Sequence, residues 1–286
     1  MHLKDIYYLQ LNSLNTIYDE NEAKSILKIL YEFFFNEHFY KIYSFFNTKI
    51  LSSDELNRLN CYFSKLMQNT PIQYVTNEVL FYNRVFFVNN NVLIPRGETE
   101  ELCNLIISDY DRNINISDKL NVLDIGTGSG CIAITLCLEN KNFDVYAIDF
   151  SKDALEVAEK NNKLLCSNVS FFLDDILVPK YISKYKFDII VSNPPYVLES
   201  EKGSMHKNVI DYEPENALFV SDNNPLLYYD AIVNFALNNL KKDGVIYLEI
   251  NPLVANKMVN KYRTFFKNIN LIKDINNKDR FLVLKF

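Results

Sequence analysis

The sequence predicts an α/β protein. A doubly wound, mainly parallel sheet follows a small N-terminal helical bundle, and a β-hairpin joins the two. Three observations carry that expectation. Residues 1–70 contain Leu and Ile at helical spacings and no glycine. Residues 71–95 are rich in β-branched and aromatic side chains, punctuated by Pro71, Asn83 and Asn89-Asn90-Asn91. Over residues 96–286, short apolar runs alternate with helical patterns, the rhythm of strands joined by helical crossovers.

In the first segment, Ile26, Leu27, Ile29 and Leu30 continue into Phe33 and Phe34 on a helical period. Ser52 with Glu55 three residues later has the composition of a capping box, in which each side chain bonds the other's backbone N–H. The aromatic run from Phe33 to Phe46 has two readings, the core of a small bundle or a surface that docks a partner. Pro71 breaks the helical pattern, and Ile72 to Ile94 reads as one or two hairpins. A helix is expected to start near Thr99.

Further along, strands are expected at 122–125, 145–148, 169–172, 187–192, 245–250 and 281–286. Helices are expected at 130–139, 152–164, 225–240 and 253–266. Residues 199–214 form a loop-like insertion.

Asn193-Pro194-Pro195-Tyr196 ends the apolar run Phe187 to Ser192. Neither proline has an N–H to donate, so the chain must leave the sheet there in a stiff turn. Ligands of open α/β sheets bind at that carboxyl edge. An amide, two carbonyls and a ring held there suit a planar nitrogen group, an amide or an exocyclic amine.

Asp124-Ile125-Gly126-Thr127-Gly128-Ser129-Gly130 follows the first of these strands and opens a helix. Its glycines permit a sharp turn and a close ligand approach. Asp149 ends the next strand roughly 20 residues on, where a carboxylate accepts hydrogen bonds from ribose hydroxyls. The spacing is Gly-x-Gly-x-Gly with an acid ahead of it, which suits a cation better than a pyrophosphate. S-adenosylmethionine, with a sulfonium and an amino group, meets that requirement. Asp174 and Asp175 offer further acceptors near an adenine edge.

Net charge is −6 and the pI is about 5.2, which argues against a broad, stable nucleic-acid surface. No apolar stretch approaches the about 18 residues that span a bilayer. The N-terminus has no signal-peptide core, so a cytoplasmic location is expected. Five cysteines form no Cys-x-x-Cys pair and read as free buried thiols in a reducing compartment. The three histidines have no metal-ligand spacing, and no metal is expected.

The glycine loop and the proline turn together resemble class I S-adenosylmethionine-dependent amino-group methyltransferases. Four further stretches resemble the peptide chain release factor glutamine methyltransferase family. They are Pro71-Ile72-Gln73-Tyr74, Val92-Leu93-Ile94-Pro95-Arg96, Tyr212-Glu213-Pro214 with Ala217-Leu218-Phe219, and Asp279-Arg280-Phe281. The resemblance implies a Rossmann-like, seven-stranded methyltransferase sheet over residues 96–286 and an N-terminal substrate-docking domain over 1–70. It also implies a release factor as protein substrate, methylated on the glutamine of its Gly-Gly-Gln motif, with S-adenosylhomocysteine as product.

Carried over by motif, Gly126, Thr127, Gly128, Ser129 and Gly130 would wrap the methionine part of the cofactor. Asp149 would hold the ribose, and Asp175 and Ile176 would border the adenine. Asn193, Pro194, Pro195 and Tyr196 would hold the glutamine, with Asn193 also against the cofactor. Asn193, Pro194 and Tyr196 would be the catalytic set, Tyr196 packing its ring on the amide. Gly97, Asn251 and Asn276-Asn277 depart from the family pattern, which usually has proline, glycine and a glycine-bearing turn there. Three rivals stay open on the residues: a glutamine methyltransferase of a ribosomal protein, an adenine-amino methyltransferase on DNA or RNA, and a non-catalytic adenosine-binding regulator.

Overall fold

The computed structural model describes residues 1–111 and 119–286. By its internal contacts the chain divides into two units, residues 1–78 with 206–212, and residues 79–205 with 213–286.

The first unit holds α1 (Leu3–Leu14), α2 (Glu20–Phe35), α3 (Phe39–Ser44), α4 (Ser53–Leu66) and α5 (Ile72–Thr76). Local chemistry sets their ends. Asp19 accepts the N–H groups of Asn21 and Glu22 at the start of α2, and Asn36 in the left-handed region closes it. Ser52 and Glu55 form the expected capping box. The core is built on Leu3, Leu14, Leu27, Leu30, Tyr31, Leu59 and Leu66, all fully buried. Tyr7 packs edge-on against Tyr31 and tilted against Phe39 and Phe46. The aromatic run thus supplies bundle core, while Tyr40 and Tyr43 stay exposed.

One expectation fails here. Ile72 to Thr76 is helical and not extended, because Pro71 caps the turn and its carbonyl takes the N–H groups of Tyr74 and Val75. A single hairpin follows, β1 (Glu78–Phe81) and β2 (Arg84–Phe87). Its two-residue turn, Tyr82-Asn83, has positive φ at both positions, the geometry that matches strand twist.

The second unit continues with α6 (Gly97–Asp111), β3 (Leu120–Ile125), α7 (Cys131–Glu139), β4 (Phe143–Asp149), α8 (Lys152–Leu164), β5 (Ser170–Leu173), β6 (Phe187–Ser192) and β7 (Val197–Leu198). The expected insertion contains α9 (Lys207–Tyr212), which clusters with the first unit, where the Tyr212 hydroxyl donates to the Gln68 carbonyl at 2.6 Å. Then come α10 (Glu215–Leu218), β8 (Phe219–Val220), α11 (Leu227–Asn239), β9 (Leu240–Glu249), α12 (Ala255–Tyr262), β10 (Asn268–Lys273) and β11 (Asp279–Lys285).

Among the described residues the main sheet has seven strands in the order β10-β11-β9-β6-β3-β4-β5. Pairing is parallel from β9 to β5, while β11 runs antiparallel to both β9 and β10. The strand β10 had no counterpart in the sequence reading. It is a sheet-edge strand, half exposed along its length, and lacks a continuous apolar run. The central strands are buried on both faces. On β6, Phe187 and Ile190 join the core under α11 and α12, while Ile189 and Val191 join the core under α6 and α7.

The chain runs from β3 outward through β4 to β5, then returns to place β6 on the other side of β3. That reversal opens a crevice at the carboxyl ends of β3 and β6, where a doubly wound sheet binds ligands.

Candidate active site

Both sequence motifs meet at this crevice. Ile125 and Ser192 are register partners at the ends of β3 and β6. The buried Ser192 hydroxyl donates to the Ile125 carbonyl at 2.6 Å. The glycine loop leaves from one strand and the proline turn from the other, into one cavity. Gly126, Thr127, Gly128, Ser129, Asp149, Asp175, Ile176, Asn193, Pro194 and Pro195 all line it. Arg96, Thr99, Cys131, Phe150, Asn216 and Tyr228 complete much of its wall.

Gly126 and Gly128 have φ of +73° and +54°, and a Cβ on either would meet no protein atom within 4 Å. Their bare faces are therefore free for a ligand. Gly130 serves differently. At φ +80° it starts α7, and a Cβ there would press on Ile134 and Ala158 at 3.0 and 3.2 Å. It is needed for helix packing and does not line the cavity.

Asp149 holds the loop's shape. Its Oδ2 accepts the Gly128 N–H and its Oδ1 the Ser151 N–H, each at 2.9 Å. Burial pushes its pKa up, against those backbone bonds. Each oxygen keeps a second lone pair for a ligand hydroxyl. Below the loop, Asp124 is fully buried, with Oδ2 taken by the Thr127 hydroxyl at 2.7 Å. Its Oδ1 is buried without a hydrogen-bond partner. Burial pushes the Asp124 carboxyl up to about 7. An under-satisfied acid, a second acid and an open glycine cradle fit a small cationic cofactor such as S-adenosylmethionine.

Asp174 lines the cavity beside Asp175, where the sequence placed it. Its carboxylate accepts the N–H groups of Asp175, Lys180, Tyr181 and Ile182, so it folds the following loop. Asp175 and Ile176 line the cavity next to it and stand as the adenine-side candidates.

Asn193 points its Nδ2 at the Thr99 hydroxyl oxygen, 3.1 Å away. Asn193 and Thr99 both line the cavity, and the bond leaves Oδ1 free of that partner. Tyr196 turns out of the cavity. Its ring packs on the core under α11 and its hydroxyl donates to Glu249 Oε1 at 2.9 Å. In this structure its ring supports the turn from behind.

Several residues of the site have partners that no local sequence pattern announces. Thr99 and Glu249 meet at 2.8 Å across 150 positions. Asn161 on α8 is fully buried. Its amide bonds both backbone groups of Phe87, at 2.7 and 2.9 Å, and the Ser129 carbonyl at 2.8 Å, so it ties the hairpin to the glycine loop. Glu213 accepts the Ile94 N–H at 3.2 Å and pairs with Arg96, joining the stretch 92–96 to the stretch 212–214.

The departures from the family pattern are each accommodated. Asn277 adopts φ +66°, a role glycine ordinarily fills, and keeps the turn that carries Arg280 to Asp274. Asn251 is buried and donates to the Tyr196 carbonyl at 3.0 Å and to Glu201 at 2.7 Å. Gly97 is the first residue of α6, with open space where a side chain would go.

Of the cysteines, Cys103 and Cys131 are buried as expected, but Cys61 and Cys166 are exposed. Among the described residues no group of three or more His, Cys, Asp or Glu is arranged to hold a metal, and no helix is long and apolar enough to cross a membrane.

A family model described as a methyltransferase domain matches residues 116–277. The release factor glutamine methyltransferase of Flavobacterium psychrophilum is 42% identical over 281 residues, covering 96% of each chain. That of Bacteroides thetaiotaomicron is 42% identical over 82% of each chain. Among solved structures, the Thermus thermophilus 16S rRNA N2 G1207 methyltransferase with AdoMet and guanosine shares the fold. Its TM-score is 0.52 at 18% identity, over 73% of this chain and 49% of that one. A doubly wound sheet with an acidic glycine loop and a proline turn at its switch point defines a class I S-adenosylmethionine-dependent methyltransferase. Within that class, the chain belongs to the release factor glutamine methyltransferase family.

Proposed function

We infer that this enzyme transfers a methyl group from S-adenosylmethionine to the side-chain amide nitrogen of a glutamine, the one in the Gly-Gly-Gln motif of a peptide chain release factor. The observation that supports the reading is the Asn193 amide, anchored through nitrogen on Thr99 in the wall of the cavity that the glycine loop also lines.

An amide nitrogen is a weak nucleophile because its lone pair is delocalised into the carbonyl. Bound S-adenosylmethionine supplies an electrophilic methyl carbon on its sulfonium. The chain supplies position. Asn193 Oδ1 and the Pro194 carbonyl each accept one N–H of the target amide, which turns the nitrogen's remaining lobe toward the methyl donor. Both bonds strengthen as positive charge develops on nitrogen, so they favour the transition state over the ground state. Alignment of this kind is worth up to ~7–11 kcal/mol. The proton leaves after transfer, when the nitrogen is acidic. Asp149 holds the ribose, and Asp175 with Ile176 borders the adenine. The N-terminal helices dock the body of the factor, and the enzyme works in the cytoplasm with its substrate.

The test offers methyl-labelled cofactor to the full-length enzyme with a release factor, the same factor with Ala in place of the motif's Gln, a ribosomal protein mixture and duplex DNA. Label is expected on the first alone. Label on DNA, or on the Ala-substituted factor, refutes the assignment.

A further inference from the structure

Building on that methyl-transfer reading, we infer that Thr99 and Glu249 are positioning residues that decide which end of the Asn193 amide faces the substrate. Glu249 closes β9 and is 1% exposed. An ionised carboxylate only accepts hydrogen bonds. Its Oε2 takes the single hydroxyl proton of Thr99 at 2.8 Å, and its Oε1 takes that of Tyr196 at 2.9 Å. Having given its proton away, Thr99 Oγ1 offers only lone pairs to Asn193, 3.1 Å from it. The NH2 end of the amide alone satisfies that neighbour. The relay therefore runs one way, from Asn193 to Thr99 to Glu249, and its far end is an oxygen held toward the cavity.

Protonation of Glu249 undoes this order. The acid then donates to one of its two hydroxyls. When that hydroxyl is Thr99, its own proton turns to Asn193 and draws Oδ1 inward. The reversed amide presents NH2 to the substrate's own N–H groups, donor against donor.

The groups facing Glu249 come from every side of it. Besides the hydroxyls of Thr99 and Tyr196, Tyr229 on α11 donates to its backbone carbonyl at 3.2 Å. The Arg280 guanidinium on β11 and the Glu98 carboxylate on α6 act on it through space, and it acts on the thiols of Cys103 and Cys131. Burial pushes the Glu249 pKa above the ordinary glutamate value, with the two hydroxyls and Arg280 opposing. As pH falls through that raised value, the ordered relay is lost and turnover falls with it. Asp124 and Asp149 lie on the cofactor side, so saturating cofactor separates their titration from this one.

The experiment measures kcat against pH at saturating cofactor, on a Gly-Gly-Gln release factor. It uses the full-length enzyme, Thr99→Val, Thr99→Ser, Glu249→Gln and Asn193→Ala, with cofactor affinity by calorimetry as a check on folding. Thr99→Val should lose about tenfold or more in kcat while holding cofactor affinity within about threefold, and Thr99→Ser should recover to within about threefold of native. Glu249→Gln removes the titrating group, and the acid limb of kcat should go with it. Native kcat in Thr99→Val, or an unchanged acid limb in a cofactor-binding Glu249→Gln, overturns the inference while an inactive Asn193→Ala leaves the methyl-transfer reading standing. Native turnover in Asn193→Ala defeats that reading itself. Should Glu249→Gln fail to bind cofactor, the Thr99→Val and Thr99→Ser pair decides alone.

Discussion

Ser192 donates its buried hydroxyl to the carbonyl of Ile125 at 2.6 Å, one residue before the proline turn on one strand and one residue before the glycine loop on the next. The bond ties the amide-gripping motif to the cofactor motif at the point where both leave the sheet. Ser192→Ala leaves one buried hydrogen-bonding group short of a partner. It should destabilise the fold by about 1–3 kcal/mol and weaken S-adenosylmethionine binding in the same direction. Urea denaturation and calorimetry check the two effects. An unchanged midpoint together with unchanged affinity would mean the strand pairing alone sets the spacing.

The Asp124 carboxyl makes stability of the cofactor-free protein depend on pH. Its folded pKa, about 7, lies above the unfolded value near 3.8. A raised pKa contributes stability that is fully present below about 4 and lost as pH rises through about 7. The charged form thus costs about 4 kcal/mol at pH above 7. Asp124→Asn keeps an acceptor for Thr127 and cannot ionise. The native protein should lose more stability than this variant between pH 5.5 and 8, by guanidinium denaturation without cofactor. Parallel pH profiles would exclude Asp124 as the source.

Asn251 holds the exit of the proline turn. It bonds the Tyr196 carbonyl, the Glu201 carboxylate and the Leu253 N–H. Asn251→Gly deletes all three at once. We expect a loss of about 2 kcal/mol in stability and a raised KM for the release factor, with cofactor affinity little changed. A rise in cofactor Kd at constant factor KM would show that the clamp serves the other side of the site.

Gly97 opens α6 with open space at its Cβ position. The first helical position has no intrahelical use for its N–H and suits the φ of proline. Gly97→Pro should stabilise the protein by about 0.4–1 kcal/mol, chiefly by reducing the freedom of the unfolded chain. Thermal melting at matched activity checks this. A lowered midpoint would show that the glycine is needed in some conformation of the loop from Ile94 to Arg96.

Much of this molecule was legible before its structure. The helix 152–164 and the strand 187–192 match the observed α8 and β6 end to end. Apolar periodicity and capping residues set those boundaries locally. Ile72–Thr76 departs from its local preference, since its β-branched and aromatic side chains favour strand while the Pro71 carbonyl accepts two N–H groups of a helical turn. Tyr196 bonds Glu249, 53 positions away, a partner no local pattern announces.

By itself the sequence determined the doubly wound sheet, the glycine loop and the proline turn. Those features follow from what single residues permit, a missing N–H in proline, a missing Cβ in glycine and an apolar period of 2 or 3.6. Only the tertiary structure decided that Thr99 and Glu249 stand behind Asn193. They lie 94 and 56 positions from it in the chain, and it is the placement of β9 beside β6 that brings that acid to the turn. Strand order is settled by how whole helices and strands bury their apolar faces, and so the orientation of one amide rests on the packing of the entire sheet.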